Sequence, residues 1–419
     1  MDKDEKIYTI ILYLLIFQIN LVLSQKPWKQ KTDFGGGFRE SSIGFSIGQK
    51  GYVGLGGYTS NKIDLWEYDP IFDFWTQKAD FPGLSRNNAV GFSIGNKGYV
   101  GLGTDTNDFV FNNEFWQYNP SSNSWKSKAN FMGTKRSRAV GFGIGSKGYV
   151  GTGDDVNGIY KFDLWAYDTL SDSWIKKNDP PSIAYGRDAA VGFSIGTKGY
   201  FGTGYNPNTY PNPAYFNDFW QYDPVLDSWM QKANFPGTGR CAAVGFSING
   251  KGYIGSGNGC SDPNDFYQYD TLKNSWQKKL PFKYLDRGYA VGFSIGNKGY
   301  FGTGNGWLDT LHSTTGPLKD FWEYDPSQDT ITGINNYFIE TPEIKIYPNP
   351  CNGIFNVVLS CKKNSIVEVY GVYGSKMYEN HFTNEQSFSI DLSAYPNGTY
   401  LAAIIFNRQR IVKRISIIK

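Results

Sequence analysis

The sequence predicts an all-β fold, namely a six-bladed β-propeller closed by an N-terminal strand and followed by a small β-sandwich. Three observations predict it. One pattern rich in Gly and aromatic residues recurs six times with a period of 47 to 53 residues. A surplus copy of the last strand of the pattern precedes the first repeat, and the composition changes after the sixth. These features indicate a ring of like units with a different domain after it.

Each repeat begins with an Arg, and the Phe that opens a Gly-rich hairpin follows six residues later. In the second repeat, residues 89–94 alternate as a half-buried strand, 99–103 return beside them, and 114–118 and 125–128 supply two further strands. We name these strands a, b, c and d. Such a sheet cannot cover both of its apolar faces alone, so we expect six sheets stacked around an axis. The repeat arginines are Arg39, Arg86, Arg136, Arg187, Arg240 and Arg287.

The two ends of the array predict how it closes. Residues 28–34 copy the strand d segment of the first repeat, residues 75–81, and both segments precede the next Arg by the same distance. The sixth repeat has Ile331 where strand d would carry its Trp. We therefore expect residues near 28–33 to complete the sixth blade, which would remove both free sheet edges.

Each repeat also has one acid immediately before strand c. Strands a and c start at the same face, roughly 10 Å apart, and an Arg side chain crosses most of that distance. We expect ion pairs that tie strand c to strand a within a blade or to the neighbouring blade, with binding of an anionic ligand as the alternative role. Arg136 is the candidate exception, because Lys135 and Arg138 add charge beside it. The acids are Asp64, Glu114, Asp163, Asp218, Asp265 and Asp320.

The repeat itself resembles a known family. Units reading Arg…Gly-Phe…Gly-Tyr-Val-Gly-Leu-Gly…Leu-Trp-Glu-Tyr-Asp-Pro…Trp resemble kelch repeats, and the likeness covers roughly three quarters of the chain. The double Gly of many kelch units survives only at Gly56-Gly57, and elsewhere it reads Gly-x-Gly. The resemblance implies a kelch-type propeller.

The kelch family includes enzymes, and the amino-acid composition of this chain limits which kinds of active site it could have. Kelch copper radical oxidases need two histidines and two tyrosines, whereas this chain has only His312 and His381, and His381 lies in the C-terminal segment outside the repeats, so we expect no copper site of that kind. Sialate-epimerase-like kelch enzymes use carboxylates, Arg and His, and keep an enzymatic alternative open. The Asp-rich loops at 105–108 and 154–158 could bind Ca²⁺ but lack the EF-hand pattern, and polar turns are the other interpretation. We expect no cofactor and no metal.

An apolar run at residues 7–23, followed by Ser24-Gln25, predicts a signal peptide over residues 1–24. An uncleaved membrane anchor is the alternative, against which Gln18, Asn20 and the short length argue. The prediction after cleavage is a chain without a transmembrane span, with the propeller over 25–335 and a linker over 336–344.

Residues 345–419 differ in composition from the repeats. The segments Ile-Tyr-Pro-Asn-Pro, Val-Glu-Val-Tyr-Gly and Gly-Thr-Tyr-Leu, before a basic Ile-rich end, resemble the C-terminal sorting domain of the type IX secretion system. The resemblance implies a small β-sandwich, a Bacteroidota origin, an interaction with the type IX secretion machinery, and a secreted or outer-membrane surface location. An appended adhesion sandwich is the alternative.

Charge and cysteine content add limits. The net charge of +3, with 41 basic and 38 acidic residues, provides no basic footprint, so nucleic-acid binding is not expected. Four cysteines are too few for a disulfide scaffold in a chain of this length. Cys241 and Cys260 flank the strand a and b hairpin of the fifth repeat and would lie nearly opposite, which makes a disulfide geometrically possible.

The loops between strands b and c vary most, and with the segments around the repeat arginines they form one face, which we call the loop face. They are long and aromatic in the second, fourth and sixth repeats. We expect this face to bind a glycan or a protein partner; packing over neighbouring blades and a carbohydrate-active enzyme site near the axis are the alternatives. The candidate ligand-binding residues are Arg136, Arg138, Phe109, Phe111, Tyr205, Tyr210, Tyr215, Trp307 and His312.

Overall fold

A computed structural model describes residues 27–419 apart from 59, 106–109, 182–184, 210–213, 260–264, 282–285, 308–314, 330–343, 372–374 and 407–408. The predicted signal peptide and most of the predicted linker lie outside this range. The chain divides into two compact units, Met1–Thr330 and Ile331–Lys419. No helix in the described part of the chain has both the length and the apolar character that a membrane crossing needs.

The described residues of the first unit lie mostly in short strands and the loops between them, and Pro326–Gln328 form a 3₁₀ turn. In chain order the strands are β1 Trp28–Lys31, β2 Ile43–Ile47, β3 Lys50–Gly54, β4 Leu65–Asp69, β5 Phe74–Gln77, β6 Val90–Ile94, β7 Lys97–Gly101, β8 Thr104–Asp105, β9 Val110–Phe111, β10 Phe115–Asn119, β11 Ser124–Lys128, β12 Arg136–Ser137, β13 Val140–Ile144, β14 Lys147–Gly151, β15 Asp154–Asp155, β16 Leu164–Asp168, β17 Ser173–Lys176, β18 Val191–Ile195, β19 Lys198–Gly202, β20 Tyr205–Asn206, β21 Ala214–Tyr215, β22 Phe219–Asp223, β23 Ser228–Gln231, β24 Val244–Ile248, β25 Lys251–Gly255, β26 Phe266–Asp270, β27 Ser275–Lys278, β28 Arg287–Gly288, β29 Val291–Ile295, β30 Lys298–Gly302, β31 Asn305–Trp307, β32 Thr315–Pro317 and β33 Phe321–Tyr324.

Within the described residues, the longer strands form six four-stranded antiparallel sheets, one for each sequence repeat, which is consistent with a propeller-like fold. Five of them follow the chain in the order a, b, c, d. They are β2-β3-β4-β5, β6-β7-β10-β11, β13-β14-β16-β17, β18-β19-β22-β23 and β24-β25-β26-β27. The remaining short strands form small antiparallel sheets in the loops at the ends of these sheets, namely β8-β9, β12-β15, β20-β21 and β28-β31-β32.

Strand a shows how neighbouring sheets pack. Val90, Phe92 and Ile94 are buried at alternating positions of β6, as a period of two requires. The intervening Gly91 leaves no room for a side chain, because a Cβ there would lie 2.7 Å from the Cβ of Ile43 in the preceding sheet. Apolar side chains of one sheet therefore pack directly on the backbone of the next.

The sixth sheet has the order β29-β30-β33-β1, so the N-terminal segment occupies the place of strand d. Trp28 pairs with Tyr324 and Lys31 pairs with Phe321 in an antiparallel register. The Trp28 ring packs 4.8 Å from that of Tyr324, and its indole N–H donates to the Leu280 carbonyl at 3.1 Å. This strand pairing is the one that the surplus N-terminal copy predicted.

Two sets of backbone hydrogen bonds connect successive sheets near their inner strands. A Gly after each strand b donates to the carbonyl of the next repeat Arg, as from Gly56 to Arg86, and the sixth bond returns from Gly304 to Arg39, both at 2.9 Å. The second residue after each repeat Arg has a positive φ and donates to its counterpart in the preceding sheet. These six residues, linked in a cycle of hydrogen bonds, are Ser41, Asn88, Arg138, Ala189, Ala242 and Tyr289.

The second unit contains one five-stranded antiparallel sheet in its described residues. The longest strand pairs with β36 along both of its halves, with register shifts near the middle, whereas on its other side the first half pairs with β34 and the second with β37. Both halves contribute to one buried core that includes Phe355, Val357, Val367 and Val369. The strands are β34 Lys345–Tyr347, β35 Ile354–Gly371, β36 Lys376–Asp391, β37 Gly398–Phe406 and β38 Gln409–Ile417.

Candidate functional site

The repeat arginines pair with the acid of their own sheet. The Arg39 guanidinium donates to both carboxylate oxygens of Asp64, at 2.6 and 2.9 Å, and the other sheets have the equivalent pair. All six Arg side chains are buried, with at most 2% of the side chain exposed. The pairs are Arg39–Asp64, Arg86–Glu114, Arg136–Asp163, Arg187–Asp218, Arg240–Asp265 and Arg287–Asp320.

Arg136 has the same surroundings as the other five arginines. Its guanidinium donates to both oxygens of Asp163 and to the Thr152 carbonyl, and its side chain is completely buried. The geometry therefore does not set Arg136 apart as a surface residue, although the sequence placed extra charge beside it.

The second sheet departs from this pattern. Arg86 makes one hydrogen bond to Glu114, at 2.6 Å, and 39% of the glutamate side chain is exposed. The indole N–H of Trp116 is buried without a hydrogen-bond partner in the described residues, whereas Trp66 donates to the corresponding aspartate at 2.8 Å. The extra methylene of glutamate has moved the carboxylate away from the indole.

We expect Glu114→Asp to stabilise the protein by about 1 kcal/mol, because it restores a second charged hydrogen bond and satisfies the Trp116 indole. The reciprocal change in the third sheet, Asp163→Glu, is the matched control and should destabilise by a similar amount. Equilibrium denaturation of both variants measures the difference. A lower midpoint for Glu114→Asp would contradict this explanation of the second sheet.

The six residues of the hydrogen-bonded cycle differ in their side chains, and the large ones are Arg138 and Tyr289. Nη1 of Arg138 lies 3.2 Å from Oδ2 of Asp188 in the next sheet and 3.6 Å from Oδ2 of Asp154 in its own. Ser137 donates its hydroxyl to the other oxygen of Asp154 at 2.9 Å. We call Arg138, Asp154, Asp188 and Tyr289 the mouth cluster.

Burial governs the electrostatics of the mouth cluster. The side chain of Asp188 is only 6% exposed, and burial raises its pKa to about 6; Arg138 opposes the rise and the charge of Asp154 adds to it. Burial also raises the pKa of Tyr289 to about 12, against the effect of Arg138. Asp188 is therefore ionised at neutral pH and becomes protonated as the pH falls through about 6.

An aromatic pair adjoins the mouth cluster. The backbone of Asp188 forms a two-way bridge with that of Tyr205, each N–H donating to the other carbonyl at 3.0 Å. The Tyr205 ring lies 4.5 Å from the ring of Tyr215, at an angle of 31°, and Tyr215 is 43% exposed. Gly259, with a φ of 83°, leaves space for Tyr215 because a Cβ there would overlap the ring. We call Tyr205 and Tyr215 the first platform.

A second exposed ring is that of Tyr185, which lies in the segment before strand a of the fourth sheet and packs on Phe216, the residue after Tyr215. The guanidinium of Arg187 lies 3.9 Å from the ring centroid of Phe216, and the ring of Tyr185 is stacked on Phe216 with centroids 6.2 Å apart and an angle of 19°. Tyr185 is 54% exposed. We call Phe216 and Tyr185 the second platform.

The structure thus brings together three of the predicted ligand-binding residues, Arg138, Tyr205 and Tyr215. Phe111 lies half-buried in the β8–β9 hairpin, and the backbone of Trp307 ends β31. Phe109, Tyr210 and His312 lie outside the described residues. So does Cys260, while its proposed disulfide partner Cys241 is buried.

Sequence reasoning missed Asp188, Tyr289 and Tyr185 as site residues. Asp188 and Tyr289 follow a repeat Arg by one and two residues, where the repeats differ from one another. Five repeats have a Phe five residues before the Arg, but the fourth has Ser182, and this departure is the signal for an unusual loop around Tyr185. Comparing such positions across the repeats would have found all three.

The described residues include no group of three or more His, Cys, Asp or Glu side chains placed to hold a metal ion. In the Asp-rich loop of the third repeat, Asp155 accepts hydrogen bonds from the backbone of Asn157 and Ile159, both at 3.0 Å, and pairs with Lys161. This carboxylate closes a polar turn.

Comparison with known proteins identifies the C-terminal domain. Residues 345–419 match the family described as the secretion system C-terminal sorting domain, which confirms the prediction for this segment. The domain marks proteins that the type IX secretion system exports to the cell surface or the extracellular space, so the chain is a secreted or cell-surface protein and its C-terminal domain implies an interaction with that machinery.

For the repeats, the likeness to known proteins is structural. None of the curated proteins matches the chain. The solved structure titled "Structure of YjhT" is similar, with a TM-score of 0.58 and 17% sequence identity, over 70% of this chain and 95% of that one. At this identity the likeness concerns the fold alone, and it agrees with a propeller-like arrangement.

Proposed function

We propose that this exported protein is a closed six-bladed propeller of the kelch type whose loop face binds a glycan. Closure is supported by the β1–β33 pairing and by the two sets of hydrogen bonds that return from the sixth sheet to the first. A closed ring without free sheet edges suits a protein that works outside the cell.

The observation that carries the proposal is the break in symmetry around Asp188. The repeat arginines and their acids are nearly the same in every sheet and serve the fold. In contrast, the mouth cluster and the first platform combine one guanidinium, two carboxylates and a packed tyrosine pair, of which Tyr215 is exposed, at one place on the loop face. A site that departs from the repeat is where a specific ligand is expected.

This combination suits a sugar. The exposed ring of Tyr215 offers a flat apolar surface for stacking, and the carboxylate of Asp188 accepts hydrogen bonds from hydroxyl groups. The side chain of Arg138 is 35% exposed, so its guanidinium can also donate a hydrogen bond to a ligand oxygen. The two carboxylates beside Arg138 leave the site with little attraction for an anionic ligand.

A printed glycan array probed with the protein tests the proposal. We expect selective binding to one glycan class, and Tyr215→Ala should weaken that binding by about tenfold, since a stacking ring contributes about 1 kcal/mol or more. Tyr58→Ala removes a ring that is 60% exposed in the corresponding loop of the first repeat and serves as the control. The proposal fails if no glycan binds, or if the two variants lose binding equally.

A carbohydrate-active enzyme is the second candidate, because Asp188 has a pKa raised to about 6 and shares Arg138 with a second carboxylate. Such a carboxylate can act as a general base near neutral pH, and as a general acid once it is protonated as the pH falls through about 6. Analysis of the bound glycans for new products distinguishes the two. If the protein converts the glycans and Asp188→Asn abolishes the conversion, the protein is an enzyme. If the glycans are unchanged, the protein is a binding module.

A further inference from the structure

We infer that the second platform is an additional sugar subsite, so that the ligand is an oligosaccharide long enough to contact both platforms. This inference rests on the proposed glycan-binding function and extends it from a single site to a chain-length specificity.

The second platform arises because a different aromatic residue packs against the repeat arginine in the fourth repeat. In four other repeats, the Phe five residues before the Arg lies near the guanidinium, with 4.7 to 5.0 Å to the ring centroid. The fourth repeat has Ser182 at that position, and Phe216 from the loop before strand c lies 3.9 Å from Arg187 instead. This exchange brings an aromatic ring into the variable loop and leaves its outer side for Tyr185.

The stack is held rigidly from below. Arg187 is completely buried, and its guanidinium donates to both carboxylate oxygens of Asp218 and to the Thr203 carbonyl. Its Nε also donates to the Tyr185 carbonyl at 3.3 Å, which fixes the backbone that carries the exposed ring. Because this hydrogen bond and the stacking on Phe216 both restrict Tyr185, a ligand that stacks on its ring loses less conformational entropy than it would on an unsupported side chain.

The two platforms are close neighbours. Tyr215 and Phe216 are consecutive residues with Cα atoms about 3.8 Å apart, and consecutive side chains of an extended segment point to opposite sides. One ring therefore contributes to each platform. Tyr215 and Tyr185 expose 43% and 54% of their surface, and each belongs to a different pair of packed rings. This pattern fits successive sugar rings better than a protein helix or strand.

Isothermal titration calorimetry with oligosaccharides of defined and increasing length tests the inference. The probes are cello-, xylo- and chito-oligosaccharides of one to six sugars, measured at pH 7 against the full mature chain. We expect affinity to rise with length in the series that binds. Tyr185→Ala should lower the affinity for the longest member about five- to tenfold and leave the shortest binding member unchanged. Tyr215→Ala should weaken both, and Tyr185→Phe should retain wild-type binding.

The outcomes separate this inference from the proposed function. If short and long members bind equally, or if Tyr185→Ala binds the long members like the wild type, the second subsite is wrong and the glycan-binding function stands. If no member of any series and no glycan on the array binds, both are wrong. Thermal unfolding of Tyr185→Ala shows whether the variant remains folded, and Tyr185→Phe tests the ring independently of any loss of stability.

Discussion

Replacing Arg240 by Ala is expected to destabilise the protein by roughly 3–5 kcal/mol, because it leaves the carboxylate of Asp265 buried without its partner. Both side chains are inaccessible, at 0% and 3% exposure, and the guanidinium donates to the two carboxylate oxygens and to the Ser256 carbonyl. No other repeat pair is as completely buried in the described part of the chain. Equilibrium denaturation monitored by tryptophan fluorescence measures the loss.

A double variant provides the control. Arg240→Met combined with Asp265→Leu removes both charges and fills similar volume, so it should be much more stable than Arg240→Ala alone. Recovery in the double variant would show that the unpaired charge, and not the lost packing, causes the destabilisation. A single variant as stable as the wild type would contradict the structural role of the repeat arginines.

Deleting residues 27–33 is expected to cost at least roughly 3 kcal/mol and to promote association between molecules, since it removes the packing of Trp28 and uncovers strand β33. The segment also connects two sheets: Lys31 pairs with Asp73 at 3.6 Å, and the N–H of Thr32 donates to the same carboxylate at 3.0 Å. Thermal unfolding and size-exclusion chromatography with light scattering measure the two effects.

The same strand offers its own control. Lys29 and Gln30 are exposed, so their replacement by Ala should leave the unfolding temperature nearly unchanged, while Trp28→Ala should lower it clearly. An unchanged midpoint after the deletion would mean that β1 does not contribute to closure of the propeller.

The repeat architecture could be read from the sequence because its determinants are local and recur. The alternating apolar residues of strand a specify its buried face. The tight Gly turn marks the start of strand b, and the acid marks the start of strand c. The ion pairs also followed from strand geometry, since strands a and c of one sheet begin on the same side. What remained open was whether Arg and acid belonged to one sheet or two, and the structure places them in the same sheet.

The candidate site depends on contacts that no local pattern specifies. Arg138 meets Asp188 fifty residues later because two neighbouring sheets bring their loops together, and the burial that raises the pKa of Asp188 arises from the same packing. Phe216 approaches Arg187 across 29 positions of sequence because the fourth repeat lacks its usual Phe. Sequence alone determined the strands, their repeat and the sorting domain, since period and local motif encode them. Tertiary structure alone decided which variable side chains face one another, since that depends on how successive sheets pack.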